Sequence, residues 1–448
     1  MKNNFLILGS LLLTQIISLN CYGDIAIVAG YSQIDTSSSN YPSYPLADSF
    51  NLYGGAAVSI GVPSENQGII TCTGINPYTG TVLCGGYYEV QNSILPFIYR
   101  GSVVGDLVSS IEIPSNPIAL INCVAIAPNG TAVFGGFNAN NLPVIFTLSS
   151  EASEVTLVNF PNSSEAQITA VAIDSNGRAI FVGQMQGDLP IIYSLESGAS
   201  EATLVTLPNA NTGFINCIAI GSDGTAILGG KDTSIGSGVA LIYSILQGSN
   251  DATLITTANS NDNSIINGVA IGPDGTAILV GSICSAPIYP LIYRVFSSST
   301  SAQIINNPNA DSGYLNSVAI GSDKIAIMGG TTPDSSGVPM VYKLFPGDEA
   351  ATSIIWPNSE EGVINSIAIG SQNIAVLGGA FWTSNQILVY TLPTSSGVPE
   401  LVSVPALGLE GEIQIVAIYS SSDELYDIRR LRPYYYLQKD ETSAKLNQ

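Results

Sequence analysis

The sequence predicts an all-β fold of about eight four-stranded units, each near 49 residues long, closed into a single ring. Three observations carry this. A six-residue apolar motif recurs: INCVAI at 121–126, ITAVAI at 168–173, INCIAI at 215–220, INGVAI at 266–271, LNSVAI at 315–320 and INSIAI at 364–369. Each copy leads into a turn and a second apolar run, often ending in a pair of glycines. The composition suits many short strands, with 46% hydrophobic and 10% charged residues and 45 glycines. That hydrophobic share is too high for a disordered chain.

The first strand of a unit is the motif itself, and a diverged copy begins at Ile70. Turns follow at Pro128-Asn129-Gly130, Ser175-Asn176-Gly177, Ser222-Asp223-Gly224 and Pro273-Asp274-Gly275. Asn-Gly and Asp-Gly supply the positive φ angles of a tight hairpin. The second strand is the run TAVFGG at 131–136, TAILGG at 225–230 or IAIMGG at 325–330. A third strand carries one aromatic residue: Tyr99, Phe146, Tyr193, Tyr243, Tyr293, Tyr342 or Tyr390. The fourth strand is exemplified by residues 202–207 and 352–355, and copies often end in Pro-Asn, as at Pro161-Asn162, Pro208-Asn209, Pro308-Asn309 and Pro357-Asn358.

Four strands in such a repeat match one blade of a β-propeller. Apart from the early Asn, the first two strands are apolar on both faces. A sheet wedged between two others buries both faces, whereas a half-exposed sheet alternates. The third-strand aromatics are expected to fill the widening outer part of the wedge. Residues 24–30 match a second strand without its first, and IQIVAI at 413–418 is a first strand alone. Pairing the two completes a blade from both ends, giving eight blades and no free sheet edge. Should residues 31–67 fail to form a blade, the count is seven; residues 36–47 are the weakest part.

The repeat of strand, Pro/Ser-Asp/Asn-Gly-Thr turn, apolar run and Gly-Gly resembles that of bacterial secreted β-propellers. It is similar to kelch-like and WD40-like arrays in architecture, without the Trp-Asp signature of the latter. The resemblance spans residues 24–420 and implies a fold, not an activity.

Residues 1–23 read as a signal peptide, with Lys2, an apolar stretch from Phe5 to Leu13, and small-residue cleavage after Gly23. Residues 24–420 are the propeller and 421–448 a basic, Tyr-containing C-terminal tail with Arg429, Arg430, Arg432, Lys439 and Lys445. The expectation is an exported monomer, periplasmic or at the cell surface, with no membrane span after cleavage. Cleavage removes Lys2 and no acid, moving the charge from −22 to −23. Such a surface repels nucleic acid and anionic lipid.

Five cysteines remain after cleavage: Cys72, Cys84, Cys123, Cys217 and Cys284. An odd count leaves at least one free thiol. Cys72, Cys123 and Cys217 share one repeat position, filled elsewhere by Ala170, Gly268, Ser317 and Ser366, so packing is their expected role. A Cys72–Cys84 or Cys72–Cys123 bridge would need Cα atoms within about 7 Å.

The chain has no histidine. This removes the Ser-His-Asp triad, the Cys-His pair and every His-ligated metal site. Paired carboxylates could still act on glycosides, but acids such as Glu360-Glu361 and Asp348-Glu349 fall in loops and read as solvated surface. The Asp-Gly turns carry one acid each and read as hairpins, not calcium loops. The polar runs at 261–263 and 334–337 are the only weak calcium candidates, and no metal or cofactor is implied. The Gly-Gly pairs lack the Lys and the helix of a phosphate loop.

Loops joining second to third strands should emerge on the same face as loops joining one blade to the next. That rim would show Asn140, Asn141, Lys231-Asp232, Tyr289, Phe381 and Trp382, with Trp382 one of only two tryptophans. Aromatic faces beside amides suit sugar or peptide recognition. The expected ligand-binding residues are therefore Trp382, Phe381, Tyr289, Asn140 and Asn141. The functional expectation is a non-catalytic exported binding propeller for a glycan or protein. Its alternatives are a carboxylate-dependent glycoside-acting enzyme and a structural part of an envelope complex docked through the tail.

Overall fold

In the computed structural model, the described residues run from 24 to 420, apart from 34–42, 53–57, 62–66, 91–92, 106–107, 115–118, 162–163, 209–211, 235, 237, 258–262, 308–311, 334–336, 358–359, 383–385 and 403–409. The leader and the basic tail lie outside them, as do most of the two weak calcium candidates. The described residues form strands and turns without a helix, so no helix is long and apolar enough to cross a membrane.

The strands build eight antiparallel sheets in one ring. Blade 1 joins Ile25–Gln33, Ser43–Asn51 and Val58–Ser59 to Glu410–Tyr419 from the far end of the chain. Blades 2 to 8 are continuous and begin with Gly68–Ile75, Ala119–Ile126, Ala166–Ile173, Gly213–Ile220, Ser264–Ile271, Tyr314–Ile320 and Gly362–Ile369. These first strands stand next to one another around the centre, with Glu410–Tyr419 between blades 8 and 2. The eight-blade expectation is met, and both ends of the chain close blade 1.

The early polar residue of the motif has a structural reason. Each first strand carries a β-bulge there: at Thr71, Asn122, Thr169, Asn216, Asn267, Asn316 and Asn365, and at Gln414 in blade 1. A bulge leaves one residue without its ladder partner and turns its side chain aside. In blades 2 to 8 that side chain donates to a carbonyl of the next blade's first strand. Asn122 Nδ2 reaches the Ile168 carbonyl at 2.9 Å, Asn267 reaches Leu315 at 3.0 Å and Thr169 Oγ1 reaches Ile215 at 2.8 Å. Thr71, Asn216, Asn316 and Asn365 repeat the bond. Each contributes about 1 kcal/mol and would cost more if left unpaired.

The same bulge explains the Gly-Gly pairs. A Cβ on the second glycine, for example Gly136 or Gly230, would land on the carbonyl oxygen of Leu120 or Phe214 across the bulge. A Cβ on the first, for example Gly135 or Gly329, would press into Ile168 or Ile364 of the next blade. Small residues also face the first glycine from across the pair, as Cys123 faces Gly135 and Cys217 faces Gly229. The five described cysteines are all free, and four are buried, so neither candidate bridge forms.

Each core cluster draws on adjacent blades, as where Cys217 and Ile242 of blade 5 meet Ile266 and Tyr293 of blade 6. The third-strand aromatics are its largest members. Tyr193, Tyr243, Tyr293, Tyr342, Tyr390 and Phe146 are at most 2% exposed, as the packing reading requires. Burial pushes the Tyr243 phenol up to about 12, with Asp232 adding to the shift.

Two further clasps join neighbouring blades. On one face, the loop between second and third strands lends a carbonyl to the next blade: Asn141 accepts from Ala166 N–H at 2.7 Å and Ile288 from Gly313 at 2.8 Å. At the outer edge, short parallel bridges link fourth strands, as in Asn159 with Glu201 and Thr256–Thr257 with residues 301–302. Such bridges cover sheet edges that would otherwise be open to pairing.

Candidate binding faces of the ring

Antiparallel meanders put second-to-third-strand loops and interblade loops on one face. The other face carries the first-to-second and third-to-fourth turns. The residues expected from sequence map to the first of these. Asn140 and Asn141 are exposed at the tip of blade 3. Their turn is fixed by Asn138, whose Oδ1 accepts from the N–H groups of Asn140 and Leu142 at 2.9 Å each. Asn141 takes a left-handed φ of 55°, which Asn tolerates better than most residues. Tyr289 of blade 6 is 37% exposed and Trp382 of blade 8 is 41% exposed. The Trp382 ring lies against Gly337 of blade 7, so close that a Cβ there would overlap it.

Phe381 points the other way. It is 5% exposed and sits edge-on to Tyr390, with ring centroids 6.5 Å apart. It ends a strand whose side chains alternate between the two packed faces, so its ring belongs to the blade 8 core. Lys231 and Asp232 are also engaged within the fold. Lys231 Nζ donates to Asn263 at 2.9 Å, and Asp232 accepts from the Ser234 N–H at 2.8 Å. The exposed members therefore share a face but stand on blades 3, 6 and 8, which are not neighbours.

At the start of the closing strand on this face lies a carboxylate that sequence reasoning missed. Glu412 occupies the register held in the other blades by Ile69, Leu120, Gln167, Phe214, Ile265, Tyr314 and Val363. Tyr31 Oη donates to it at 3.1 Å and Asn365 Nδ2 at 2.5 Å. Burial pushes the carboxyl above its ordinary value, against the opposing pull of the Asn365, Tyr31 and Gln414 hydrogen bonds. The sign of the linkage follows. An acid whose folded pKa is raised stabilises the fold only while protonated, and that contribution is lost as pH rises through the folded value. Glu412→Gln keeps an oxygen for Asn365. It should therefore gain melting temperature over the parent chain as pH rises from 4 to 8. A gain that is the same at both ends would contradict the assignment.

The opposite face holds a more concentrated feature. In blades 2 to 8 the third-to-fourth turn starts three residues after the aromatic. In blades 2, 3, 4 and 8 that position is Ser102, Ser149, Glu196 and Pro393; in blades 5, 6 and 7 it is Leu246, Phe296 and Phe345. These three are 62%, 51% and 41% exposed on consecutive blades. Exposed apolar side chains are unremarkable singly, but these three repeat one register on consecutive blades. The signal was present in the sequence as an apolar intrusion at an otherwise Ser, Glu or Pro position.

A cavity of about 110 Å³ opens between blades 6 and 7 beneath Phe296 and Phe345. Arg294, Lys324, Asp274 and Thr276 also line it. In blades 2, 4 and 7 the residue after the third-strand aromatic reaches the next blade's turn, while in blades 3 and 8 it bonds within its own blade. Arg100 donates to the Ala152 carbonyl at 2.7 Å, and Lys343 to the Ser396 carbonyl. Arg294 is the same position in blade 6 and is 4% exposed, yet its guanidinium has no hydrogen-bond partner among the described residues. Its charge centre lies 6.0 Å from the Phe296 ring centroid, within cation–π range. Desolvation lowers its pKa, and Asp348, Asp274 and Glu349 raise it in part. Lys324 pairs with Asp274 at 3.4 Å. Burial raises the Asp274 carboxyl, but the Thr276 hydrogen bonds and Lys324 outweigh it and leave the pKa below its ordinary value. No group of three or more metal-ligating side chains occurs among the described residues.

No protein-family model and no curated protein matches the sequence. Solved structures do match in fold. Hydrazine synthase from Kuenenia stuttgartiensis aligns with a TM-score of 0.50 at 12% identity, covering 75% of this chain and 98% of that one. The β-propeller domain of the Trilobed protease from Pyrococcus furiosus aligns with a TM-score of 0.47 at 11% identity, covering 74% and 94%. YCF48 bound to D1 peptide gives 0.44 at 12%, covering 71% and 96%. Identities this low speak to fold alone. The chain is an eight-bladed β-propeller with one blade shared between its two ends.

Proposed function

We propose that this protein is an exported, non-catalytic binding propeller that engages a partner protein through the turn face of blades 5 to 7. The observation that carries the reading is the exposure of Leu246, Phe296 and Phe345 in one register on three consecutive blades. Aromatic and apolar side chains supply most of the energy at protein interfaces. The lack of histidine and the dispersal of the acids support binding over catalysis. Export follows from the apolar leader and suits the strongly acidic charge.

A photocrosslinking residue placed at 296 or 345 in the native host tests the reading, with position 382 on the opposite face as comparison. Adducts to one discrete partner from 296 and 345, and none from 382, are expected. Adducts from 382 alone would move the binding face to the Trp382 rim. Adducts from none of the three would contradict a binding role for either face.

A further inference from the structure

We infer that the cavity between blades 6 and 7 receives the C-terminal carboxylate of a polypeptide whose last side chains are apolar, held by Arg294 and flanked by Phe296 and Phe345. The inference rests on the proposed binding face and names the group it recognises.

Four observations lead there. Arg294 is a buried cation without a hydrogen-bond partner among the described residues, and it lines an opening of about 110 Å³. A guanidinium that lines an opening with its N–H groups free of protein acceptors is set to receive an incoming acceptor. Its counterparts Arg100 and Lys343 each donate to a carbonyl of the next blade, although Arg100 Nε is left without a partner, whereas no such bond ties Arg294 to blade 7 among the described residues. Blade 6 breaks the pattern where the surface turns apolar. The chain carries only 12 basic residues against 34 acidic ones, and two of the 12, Arg294 and Lys324, line this one cavity.

The surroundings also set what enters. Asp274 lines the cavity and holds Lys324, while Asp348 and Glu349 lie near enough to act on Arg294. A polyanion would meet all three acids. A single carboxylate can take the fork of Arg294 in a bidentate pair and keep the rest of the ligand neutral. The walls offered to that rest are the rings of Phe296 and Phe345 and the side chain of Leu344. One carboxylate next to apolar side chains is the chemistry of a chain terminus, and capture of a C-terminal carboxylate is a recurring mode of peptide recognition.

The test uses the full chain with ¹⁵N-labelled arginine, following the Nε–Hε resonance assigned by its loss in Arg294→Lys. The probes are N-acetyl-Leu-Phe as the free acid, the same dipeptide as its C-terminal amide, and inorganic phosphate. The acid should shift the resonance saturably, and the amide should bind at least tenfold more weakly. Lys324→Gln, at a half-exposed position that keeps the fold, should weaken the acid several-fold. Phe296→Ser with Phe345→Ser should weaken it while leaving the direction of the shift intact. Acid and amide titrating alike, phosphate matching the acid, or no shift at all would each overturn the inference. The binding face is judged separately, with the crosslinker at position 246. Partner adducts that persist in Arg294→Gln would reject the carboxylate pocket and retain the face. Adducts absent from the parent chain would reject the face itself.

Discussion

A chain ending at residue 409 should lose cooperative folding, whereas one ending at 420 should melt with the full-length protein. The closing strand Glu410–Tyr419 is the innermost strand of blade 1 and stands between blades 8 and 2. Ile413, Ile415 and Val416 are fully buried; Ile413 and Val416 share a cluster with Ala26, Val28, Val376 and Val389, and Ile415 joins the cluster of blades 1 to 3. Burying three such side chains contributes roughly 5–9 kcal/mol. That is comparable to the whole net stability of an ordinary domain, about 5–15 kcal/mol. The seam has polar ties as well. Asp24 is 2% exposed and accepts from the Ser371 hydroxyl of blade 8 at 2.8 Å. Truncation at 420 keeps every described strand. Thermal unfolding followed by near-ultraviolet circular dichroism checks the pair, and a cooperative transition in the shorter chain would contradict the role given to the closing strand.

Gly136→Ala should cost about 3 kcal/mol, a large effect for adding one methyl group. The bulge at Asn122 carries the Leu120 carbonyl to the place a Cβ on Gly136 would occupy. The obstruction is backbone, so no rotamer change relieves it. Either the bulge flattens and Asn122 loses its bond to the Ile168 carbonyl, or the second strand moves off the first. Gly397→Ala is the matched control, because nothing lies within 4 Å of its Cβ position. It should change stability by less than about 0.5 kcal/mol. Urea titration of both variants gives the comparison; equal midpoints would show that the bulge does not dictate the glycine.

Much of this architecture was legible in the residues. The recurring six-residue motif, the Asn-Gly and Asp-Gly turns and the third-strand aromatics mark four strands per unit. The lone motif at 413–418 announces closure. What escaped was the meaning of residues that break the apolar pattern. The early Asn reads as a blemish in a buried strand until the bulge is seen, because a bulge is a property of pairing and not of one strand. The Gly-Gly pairs likewise answer to a carbonyl on another strand.

The candidate binding residues were harder to read, for a related reason. Phe381 and Trp382 are adjacent, so strand alternation had to send them to different environments, and only Trp382 reached the surface. Leu246, Phe296 and Phe345 lie about 50 residues apart in sequence and become neighbours only when successive blades stand side by side. Arg294 shows nothing unusual until its counterparts Arg100 and Lys343 are seen to donate to the next blade while it does not. Glu412 is a single acid in a register that is apolar apart from Gln167, significant only once the closing strand is paired with Tyr31 and Asn365.

The ring closed by both chain ends is the claim on which the faces, the register and the cavity all depend. Native-state hydrogen exchange of the amides in Glu410–Tyr419 tests it most directly, since exchange reports the opening free energy of each strand separately. Closure predicts protection equal to that of the first strands of blades 3 to 7, with Ile413, Ile415 and Val416 exchanging only through global unfolding. Exchange as fast as that of a fraying terminus would contradict it.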